Sequence, residues 1–329
     1  MRELNIIYDG VFTAYRHPGE HPERPERVSV CAKELSALDP SISFIRPHRA
    51  ERSDLLLVHE DAYISSIEHR RVSEVDDETP VHENIYLVAS TAAGAAIDAL
   101  KLCRSGINSL SLSRPPGHHA FPSRGGGFCY FNNAAIACRK IPGRYAILDI
   151  DVHHGNGTSD IFYDDDTVLY ISTHQEHIYP GTGRVEETGA GKGAGYNLNI
   201  PLPSSSGDAT YECAMNEIIM PVLRAFSPDA VIISLGVDAH YTDPLATLSL
   251  STKCYCNMLL DVIKNFRTCI LLEGGYNPLA VSDVICALYA ATKQLHYVER
   301  YSEVQDLSCI GREALNRAKR AFSRFWPLE

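Results

Sequence analysis

The amino-acid sequence predicts an α/β protein with a mainly parallel central sheet and helices on both of its faces. Two observations predict this class. Short apolar runs alternate with longer stretches of helical periodicity, which is the pattern of βαβ units. Several runs contain no polar residue, as expected for parallel strands buried on both faces. With 329 residues, 45% of them hydrophobic, and no linker or repeat, we expect a single domain over residues 1–329.

The predicted elements follow one another along the whole chain. Strands are expected over seven short apolar runs, at residues 4–8, 42–45, 109–112, 145–150, 168–172, 230–235 and 269–272. Helices are expected over eight longer stretches with helical spacing of apolar residues, at 23–38, 63–71, 82–102, 132–139, 207–226, 252–265, 278–295 and 312–324. Three long loops each follow a predicted strand, at 113–131, 173–196 and 238–250, so we expect them to form the site at one sheet edge.

Composition and charge exclude some functions. The formal net charge is −11 and the isoelectric point is near 5.7, which argues against direct nucleic-acid binding because that requires a basic face. An acidic surface would suit a cationic substrate, although solubility alone also explains it. Ten scattered cysteines without a CxxC pair indicate reduced core residues rather than a disulfide framework.

The sequence also predicts the compartment. The first residues, MRELN, carry charges where a signal peptide needs an apolar run. We expect no stretch to come near the ~18 apolar residues of a membrane span. Together with the reduced cysteines, these features favour a cytoplasmic protein without a membrane partner.

Two segments far apart in the chain are rich in groups that bind metals. DIDVHHGNG at residues 149–157 and SLGVDAH at residues 234–240 each continue directly from an apolar run. Alternation at a period of two places Asp149, Asp151 and His153 on one face of the strand. Burying these groups without a partner would cost several kcal/mol or more, and a divalent cation would remove that cost. The sequence therefore predicts a metal site at the carboxyl ends of the strands.

Two further motifs follow predicted strands, RPPGHHA at residues 114–120 and EGGYN at residues 273–277. Adjacent histidines in a loop are commonly surface residues, but beside a metal His118 and His119 could serve as general base and acid. Tyr276 could be a half-buried aromatic residue, or its phenol could donate to a developing oxyanion.

Other histidines are expected to play no direct part. His174 and His177, three residues apart, are expected to be solvent or rim groups. His240 is expected to lie behind the ligands or at the surface.

Five motifs, in this order, resemble those of zinc-dependent histone deacetylases and acetylpolyamine amidohydrolases: RPPGHHA, GGGFCYFNN, DIDVHHGNGT, YPGTG and EGGYN. The segment HPERPER at residues 21–27 fits as well. The match is closer to the class II branch and its microbial relatives, and it runs from about residue 8 to residue 290. This resemblance implies the arginase-deacetylase fold.

The resemblance implies one zinc ion per chain, held by Asp151, His153 and Asp238, with positions left open for water and substrate. Zinc would activate the attacking water and polarise the amide carbonyl. Members of the family also bind potassium nearby, which by resemblance would involve Asp149, Ser172 and backbone carbonyls.

The resemblance also implies a set of catalytic residues. His118 and His119 match the tandem histidines, and the second is the better candidate for the general base that later protonates the leaving amine. Asp149 matches the carboxylate that orients His118. Asn156 matches the partner of His119, at a position where some branches have aspartate. Tyr276 matches the tyrosine that stabilises the transition state.

The substrate residues that the resemblance implies surround a narrow acyl-lysine channel. Phe128 and Tyr179 would form its walls, with Gly127 at its floor. Glu78 aligns loosely with an acidic residue that grips the backbone of a peptide substrate. Arg27 falls where an arginine lines the internal product channel.

Three functions stay open at this point. The first is removal of acetyl or similar acyl groups from lysine side chains of proteins or peptides, and the second is the same chemistry on acetylated polyamines. The third is a protein that only binds acyl-lysine, which the complete set of ligands, histidines and tyrosine argues against. Leu245 stands where eukaryotic polyamine deacetylases have a gatekeeper glutamate, and the segment 75–86 is short. We therefore expect an acyl-lysine substrate.

Overall fold

The computed structural model describes residues 3–301, 303 and 306–328, so Met1 and Arg2 of the charged amino terminus lie outside the described residues. At its centre is a parallel sheet of seven strands in the order β1-β2-β7-β6-β3-β4-β5. The strands are β1 (Leu4–Ile7), β2 (Asn108–Ser111), β3 (Tyr145–Asp149), β4 (Val168–Gln175), β5 (Asn197–Leu202), β6 (Ala230–Leu235) and β7 (Thr268–Leu272). The predicted α/β class is confirmed.

The α-helices are α1 (Glu26–Leu38), α2 (Arg52–Leu55), α3 (Asp61–Glu68), α4 (Ile85–Arg104), α5 (Asn133–Lys140), α6 (Asn156–Ile161), α7 (Asp208–Ala214), α8 (Met220–Phe226), α9 (Thr252–Asn265), α10 (Pro278–Lys293) and α11 (Arg312–Phe322). Because crossovers between parallel strands are right-handed, α4 to α6 should cover one face of the sheet and α7 to α9 the other. The packing agrees, since α4 packs on α5 and α9 packs on α7 and α10.

Several elements differ from the prediction, among them the short helices α2 and α6, which were not predicted. The strand β5 was not predicted because it contains Pro201, which cannot donate to the strand ladder and is tolerated only at an edge. The predicted strand at 42–45 does not form, and Ile45 alone makes a bridge, to Ile7. The predicted helix at 207–226 is divided by a π-helical segment at Met215–Ile219, between α7 and α8.

The helix α4 overturns one expectation about membranes. By length and composition it could span a membrane, with a mean hydropathy of 1.4 over 18 residues. In the structure it is a core helix, because 72% of that stretch is buried and the helix packs on α5 and β2. Its alanines allow this close packing, and Ala92, Ala93, Ala95 and Ala96 are all buried.

The strand order reverses between β3 and β6. These two strands are neighbours, yet the chain leaves β3 towards β4 on one side and leaves β6 towards β7 on the other. Such a reversal opens a crevice at the carboxyl ends of the strands, where open α/β sheets bind ligands. Asp149, the last residue of β3, lies opposite Ser234 of β6. Residues that follow either strand therefore converge at this crevice.

Candidate active site

Asp151, His153 and Asp238 converge in the crevice. One potential ligand atom of each lies within 4.8 Å of the others. Nδ1 of His153 is 3.1 Å from Oδ1 of Asp151 and 3.3 Å from Oδ2 of Asp238. Backbone groups fix the carboxylates, because Gly274 N–H donates to Oδ2 of Asp151 at 2.7 Å and Val152 N–H donates to Oδ1 of Asp238 at 2.9 Å. The three side chains are thus held facing one another.

One oxygen of these carboxylates is left without a hydrogen bond in the described part of the chain. Oδ2 of Asp238 is buried and has no hydrogen-bond partner among the described residues. Burial, and next the charge of Asp151, raise the pKa of Asp238. Burial also disfavours a charged His153, but its contacts with the two carboxylates outweigh this and raise the pKa of His153 to about 10. A bound cation would satisfy the free oxygen.

The space between the carboxylates also fits an ion. A Cβ atom at Gly236 would overlap the carboxylate of Asp151, and one at Gly274 would overlap the carboxylates of both Asp151 and Asp238. Glycine at these two positions therefore keeps the space clear. Two carboxylates and one imidazole are a donor set that suits a catalytic divalent metal with open positions. The residues present fit such an ion.

The tandem histidines lie beside this cluster, and the centres of their two rings are 4.0 Å apart. Nδ1 of His118 is 3.2 Å from Oδ2 of Asp149, which also accepts from the Tyr170 hydroxyl at 2.8 Å. Nδ1 of His119 is 2.8 Å from Oδ1 of Asn156. Since that oxygen can only accept, Nδ1 of His119 carries a hydrogen and its Nε2 presents a lone pair. The structure thus brings together the four residues that the sequence predicted as partners.

The two histidines differ in charge. Burial disfavours the imidazolium of both, but the carboxylates of Asp151 and Asp149 outweigh it and raise the pKa of His118 to about 10. For His119, burial and the charges of His118 and His153 keep the pKa well below its usual value. The neutral ring is therefore the one able to accept a proton at neutral pH.

Glu273 was not singled out from the sequence, although it also follows a buried strand directly. Its Oε2 accepts from the backbone N–H groups of Gly117 and His118 at 2.6 and 3.1 Å, and its Oε1 accepts from the Ser234 hydroxyl at 3.1 Å. Burial raises the pKa of Glu273 to about 7. With Cys129 and His118 it forms a second compact group of possible ligands. This carboxyl group ties the tandem-histidine loop to the ends of β6 and β7.

Tyr276 is held by two side chains. Asp243 accepts from its backbone N–H at 2.6 Å, and from the N–H of Leu245 at 3.1 Å. Arg27 donates from Nε to the carbonyl of Gly275 at 2.6 Å, and its guanidinium lies 5.1 Å from the centre of the Tyr276 ring. Asp243 was not predicted, because its contacts with backbone N–H groups leave no pattern in the sequence. Both contacts hold the tyrosine, which is 6% exposed, in the crevice.

Arg27, predicted to line a product channel, is fully buried in an ionic network. The carboxylate of Glu23 accepts from Arg27 at 3.1 Å and from two nitrogens of Arg114 at 2.7 and 2.6 Å. The Tyr15 hydroxyl also donates to it, at 2.7 Å. A further nitrogen of Arg27 donates to the Glu273 carbonyl. This network joins the motifs HPERPER, RPPGHHA and EGGYN.

The predicted channel residues surround the tandem histidines. The ring of Tyr179 lies edge-on to His119, with centroids 5.0 Å apart, and Phe128 lies edge-on to Tyr276 at 5.7 Å. Gly127 has a φ of 53°, and a Cβ there would overlap the His119 ring. Glycine is therefore required at this position for both reasons. The half-exposed Tyr179 marks the mouth of the channel.

At the mouth, an unpredicted aspartate accompanies Glu78. The side chain of Glu78 is exposed, and its backbone carbonyl lies 3.1 Å from Nε2 of His21. The carboxylate of Asp76 accepts instead from Gly127 N–H at 2.7 Å and from Glu78 N–H at 3.1 Å. Leu245 is 41% exposed. Asp76 is thus the acidic group in direct contact with the channel floor.

The remaining predicted positions lie behind the site. Ser172 is buried opposite Asp149 in the sheet register, and its hydroxyl is 2.8 Å from Nδ1 of His174. The expectation that His174 is a solvent or rim group was wrong, because it is buried at the end of β4. His177 is exposed, and His240 is buried against Thr242.

Known proteins share this sequence and architecture. Residues 21–292 match the family described as the histone deacetylase domain. The chain is 39% identical over 290 residues to a probable deacetylase of Archaeoglobus fulgidus, covering 83% of this chain and 81% of that protein. It is 35% identical over 328 residues to the chloroplastic histone deacetylase 14 of Arabidopsis thaliana, covering 88% and 77%. The crystal structure of the HDA15 HD domain matches with a TM-score of 0.89 at 30% identity, covering 99% of this chain and 96% of that one. The chain therefore belongs to the histone deacetylase family of hydrolases and has its fold.

Proposed function

We propose that this protein is a zinc-dependent deacylase that removes acetyl or other short acyl groups from lysine side chains of proteins or peptides. The observation that carries the proposal is the buried Oδ2 of Asp238, which accepts no hydrogen bond among the described residues. It belongs to a cluster in which the centre of the His153 ring lies 6.1 Å from that of the His119 ring. Zinc held by Asp151, His153 and Asp238 would supply a Lewis acid that activates water and polarises the acyl carbonyl.

The other residues move and hold protons. His119 accepts a proton from the attacking water at Nε2, while Asn156 keeps Nδ1 protonated. The same proton then passes to the lysine nitrogen as the C–N bond breaks, which gives a carboxylic acid and an amine. The acid then gives its proton to the amine, so the products at neutral pH are a carboxylate and an ammonium group. Tyr276 donates a hydrogen bond to the carbonyl oxygen as negative charge develops there. Burial raises the pKa of Tyr276, so this donor stays protonated throughout the neutral range.

The substrate choice rests on the mouth of the channel. Leu245 presents an uncharged side chain there, so it would not select for a cationic substrate. We also propose a potassium site involving backbone carbonyls near Asp149 and Ser172, which face each other across β3 and β4.

Acetylated polyamines are the second candidate substrate, and one observation favours them. The carboxylate of Asp76 lies next to Gly127 and close enough to Tyr179 to raise its pKa, after the larger effect of burial. A negative charge at this place would attract a cationic chain.

The test compares kcat/KM of the zinc-loaded protein on an acetyl-lysine peptide and on N8-acetylspermidine, with a chelated sample as control. We expect a strong preference for the peptide and loss of turnover on chelation. A preference for the polyamine would replace the substrate assignment. Inactivity on both, and on peptides with longer acyl groups, would support the binding-only alternative.

A tyrosine variant separates chemistry from metal binding. Tyr276→Phe should lower kcat by about 10²–10³-fold, as loss of an oxyanion donor does, while zinc stays near one per chain. Tyr163→Phe, half-buried on the turn after α6, is the matched control and should have normal kcat. Full activity of Tyr276→Phe would remove this residue from the mechanism.

A further inference from the structure

A second cavity opens beside the channel mouth, with a volume of about 310 Å³. We call it the side cavity. Tyr179 separates it from the channel, because its ring contacts His119 on the channel side and the same residue lines the side cavity. A peptide that places its acyl-lysine in the channel must therefore pass next to the side cavity. The lining residues that matter here are His154, His174, Tyr179, Arg184 and Arg317.

The lining of the side cavity holds a buried polar atom without a partner. Nδ1 of His154 lies 2.8 Å from the Thr182 hydroxyl, but its Nε2 has no hydrogen-bond partner among the described residues. By contrast, both ring nitrogens of His174 are occupied, by the Ser172 hydroxyl and the carbonyl of Gly183. Leaving a buried polar group unpaired costs about 1–3 kcal/mol. A polar group that entered the cavity far enough to reach Nε2 would recover part of that cost.

Positive charge is concentrated around the side cavity, although the chain has a net charge of −11. Arg184 has no ion-pair partner within the described ranges, and Arg317 has a single one, Glu176 at 3.7 Å. An adjoining cavity of about 400 Å³ shares Arg317 and adds Arg320 of α11 and Arg324, which follows that helix. Together the two cavities are lined by four arginines and two glutamates, which leaves an excess of positive charge.

We propose that the side cavity is a subsite for an acidic residue of the substrate peptide, a glutamate or aspartate a few positions from the acyl-lysine. The inference rests on the proposed function and names the substrate class more closely. The guanidinium groups of Arg184 and Arg317 bind the carboxylate, because the planar fork of arginine matches it. An extended peptide advances about 3.3–3.6 Å per residue, so residues two to four positions away reach ~7–14 Å from the acyl-lysine.

This subsite distinguishes peptides from polyamines by charge. An acetylated polyamine carries only cationic groups, so it gains nothing from Arg184 or Arg317. A peptide gains attraction at this side of Tyr179, while its backbone can meet Asp76 and Glu78 at the other side of the mouth. The preference then comes from an added anionic contact rather than from channel width.

The experiment measures kcat/KM of the zinc-loaded protein on matched acetyl-lysine peptides that carry Glu, Gln or Lys two to four positions from the acyl-lysine. The Glu peptide should be preferred over the Gln peptide by about three- to tenfold, mostly through KM, and the preference should weaken with salt. The double variant Arg184→Gln/Arg317→Gln should lose this preference. Its turnover of the free amide of Nε-acetyl-lysine should be unchanged.

Arg224→Gln is the matched control, because Arg224 is an exposed arginine on α8, away from both cavities. It should keep the wild-type preference. Equal use of Glu and Gln peptides by the wild type, or a preference that survives in the double variant, would overturn the subsite.

A binding measurement keeps this test separate from the proposed function. The same peptides are titrated into zinc-loaded Tyr276→Phe by calorimetry, so no turnover is needed. Tighter binding of the Glu peptide, lost on adding Arg184→Gln/Arg317→Gln, supports the subsite even if the wild type hydrolyses none of the peptides. Equal affinities overturn it even if the wild type is an active deacylase.

Discussion

Two buried carboxylate clusters lie on either side of Tyr276, and they differ in how their charge is balanced. In one, the Glu23 carboxylate accepts four hydrogen bonds, from Arg27, Arg114 and the Tyr15 hydroxyl. In the other, two carboxylates share one imidazole, and Oδ2 of Asp238, although 3.3 Å from that ring, accepts no hydrogen bond among the described residues.

This difference separates a structural cluster from a binding site. The Glu23 cluster supplies its own cations, so it needs nothing from solution and can hold three sequence motifs together. The cluster of Asp151, His153 and Asp238 is incomplete without a cation, and glycines keep its centre open. A buried ionic group with all partners present holds the surrounding segments in place, whereas one with a partner missing indicates a ligand-binding site.

The largest effect is expected from metal. Zinc should raise the free energy of unfolding of the wild type by about 2.7 kcal/mol at a concentration of 100 Kd. Asp238→Asn should abolish both this stabilisation and the activity. Its metal-free form should be at least as stable as the metal-free wild type, because the substitution removes one of two like charges. Urea denaturation with and without zinc measures the stabilisation by zinc and the stability of the metal-free form. A metal-free variant less stable than the metal-free wild type would contradict the comparison.

The opposite result is expected for the Glu23 cluster, where removing the charge should destabilise the protein without affecting zinc binding. Glu23→Gln should lower the free energy of unfolding by about 3–5 kcal/mol, because it leaves the guanidiniums of Arg27 and Arg114 buried without a counter-charge. The zinc affinity of the folded fraction should stay unchanged.

Glu217→Gln provides the control for this loss. Its ion pair with Arg312 is partly exposed, so the same chemical change should cost about 1 kcal/mol or less. Equal losses in the two variants, measured by urea denaturation, would mean that the Glu23 network contributes no more than a surface pair.

A smaller effect is expected from Asp243, which holds the backbone of Tyr276. Asp243→Asn exchanges one acceptor oxygen for a donor, so it loses its contact with either Tyr276 or Leu245. We expect kcat to fall by about tenfold with zinc content unchanged, because a misplaced donor stabilises the transition state less. Asp261→Asn, exposed on α9, should have normal kcat. Loss of zinc in Asp243→Asn would instead place this residue in the ligand cluster.

The smallest effect is a change in pH dependence. Burial and neighbouring charges hold the pKa of His119 low, and a carboxylate in Asn156→Asp would raise it. The base must be neutral to accept a proton, so a higher pKa moves the acidic limb of the kcat/KM profile to higher pH, by about one unit. The zinc-loaded variant and the wild type are compared from pH 5 to 9. Coincident profiles would show that the partner of the base lies elsewhere.

The fold could be predicted because its signals are local. Six of the seven strands fall on segments that the sequence predicts as strands, and their parallel arrangement follows from the helices between them. The edge strand β5 escaped prediction because Pro201 and two asparagines break its apolar pattern. The interruption of the helix at Met215–Ile219 did have a signal, because Pro221 lacks the N–H that would continue the hydrogen bonding of the preceding turn.

The candidate site also contains residues that could be predicted from the sequence and residues that could not. Asp151, His153 and Asp238 could be predicted because ligand-type residues follow strands directly, and the structure brings them together. Asp243 and Asp76 could not, since each acts on backbone N–H groups that only the folded loops bring near. A carboxylate that receives backbone groups has no required spacing in sequence, so tertiary structure alone reveals it.

The position of Asp243 has a consequence for how this protein can change during evolution. One carboxylate supports both the partly exposed Leu245 and Tyr276, in the crevice. A lineage that remodels the loop around Leu245 to accept a new substrate will therefore also disturb the step that converts it. Substitutions on the far side of Tyr179 should disturb the reaction less, because residues of α11 there do not contact the reacting groups. We expect relatives with altered preferences to differ first at that surface.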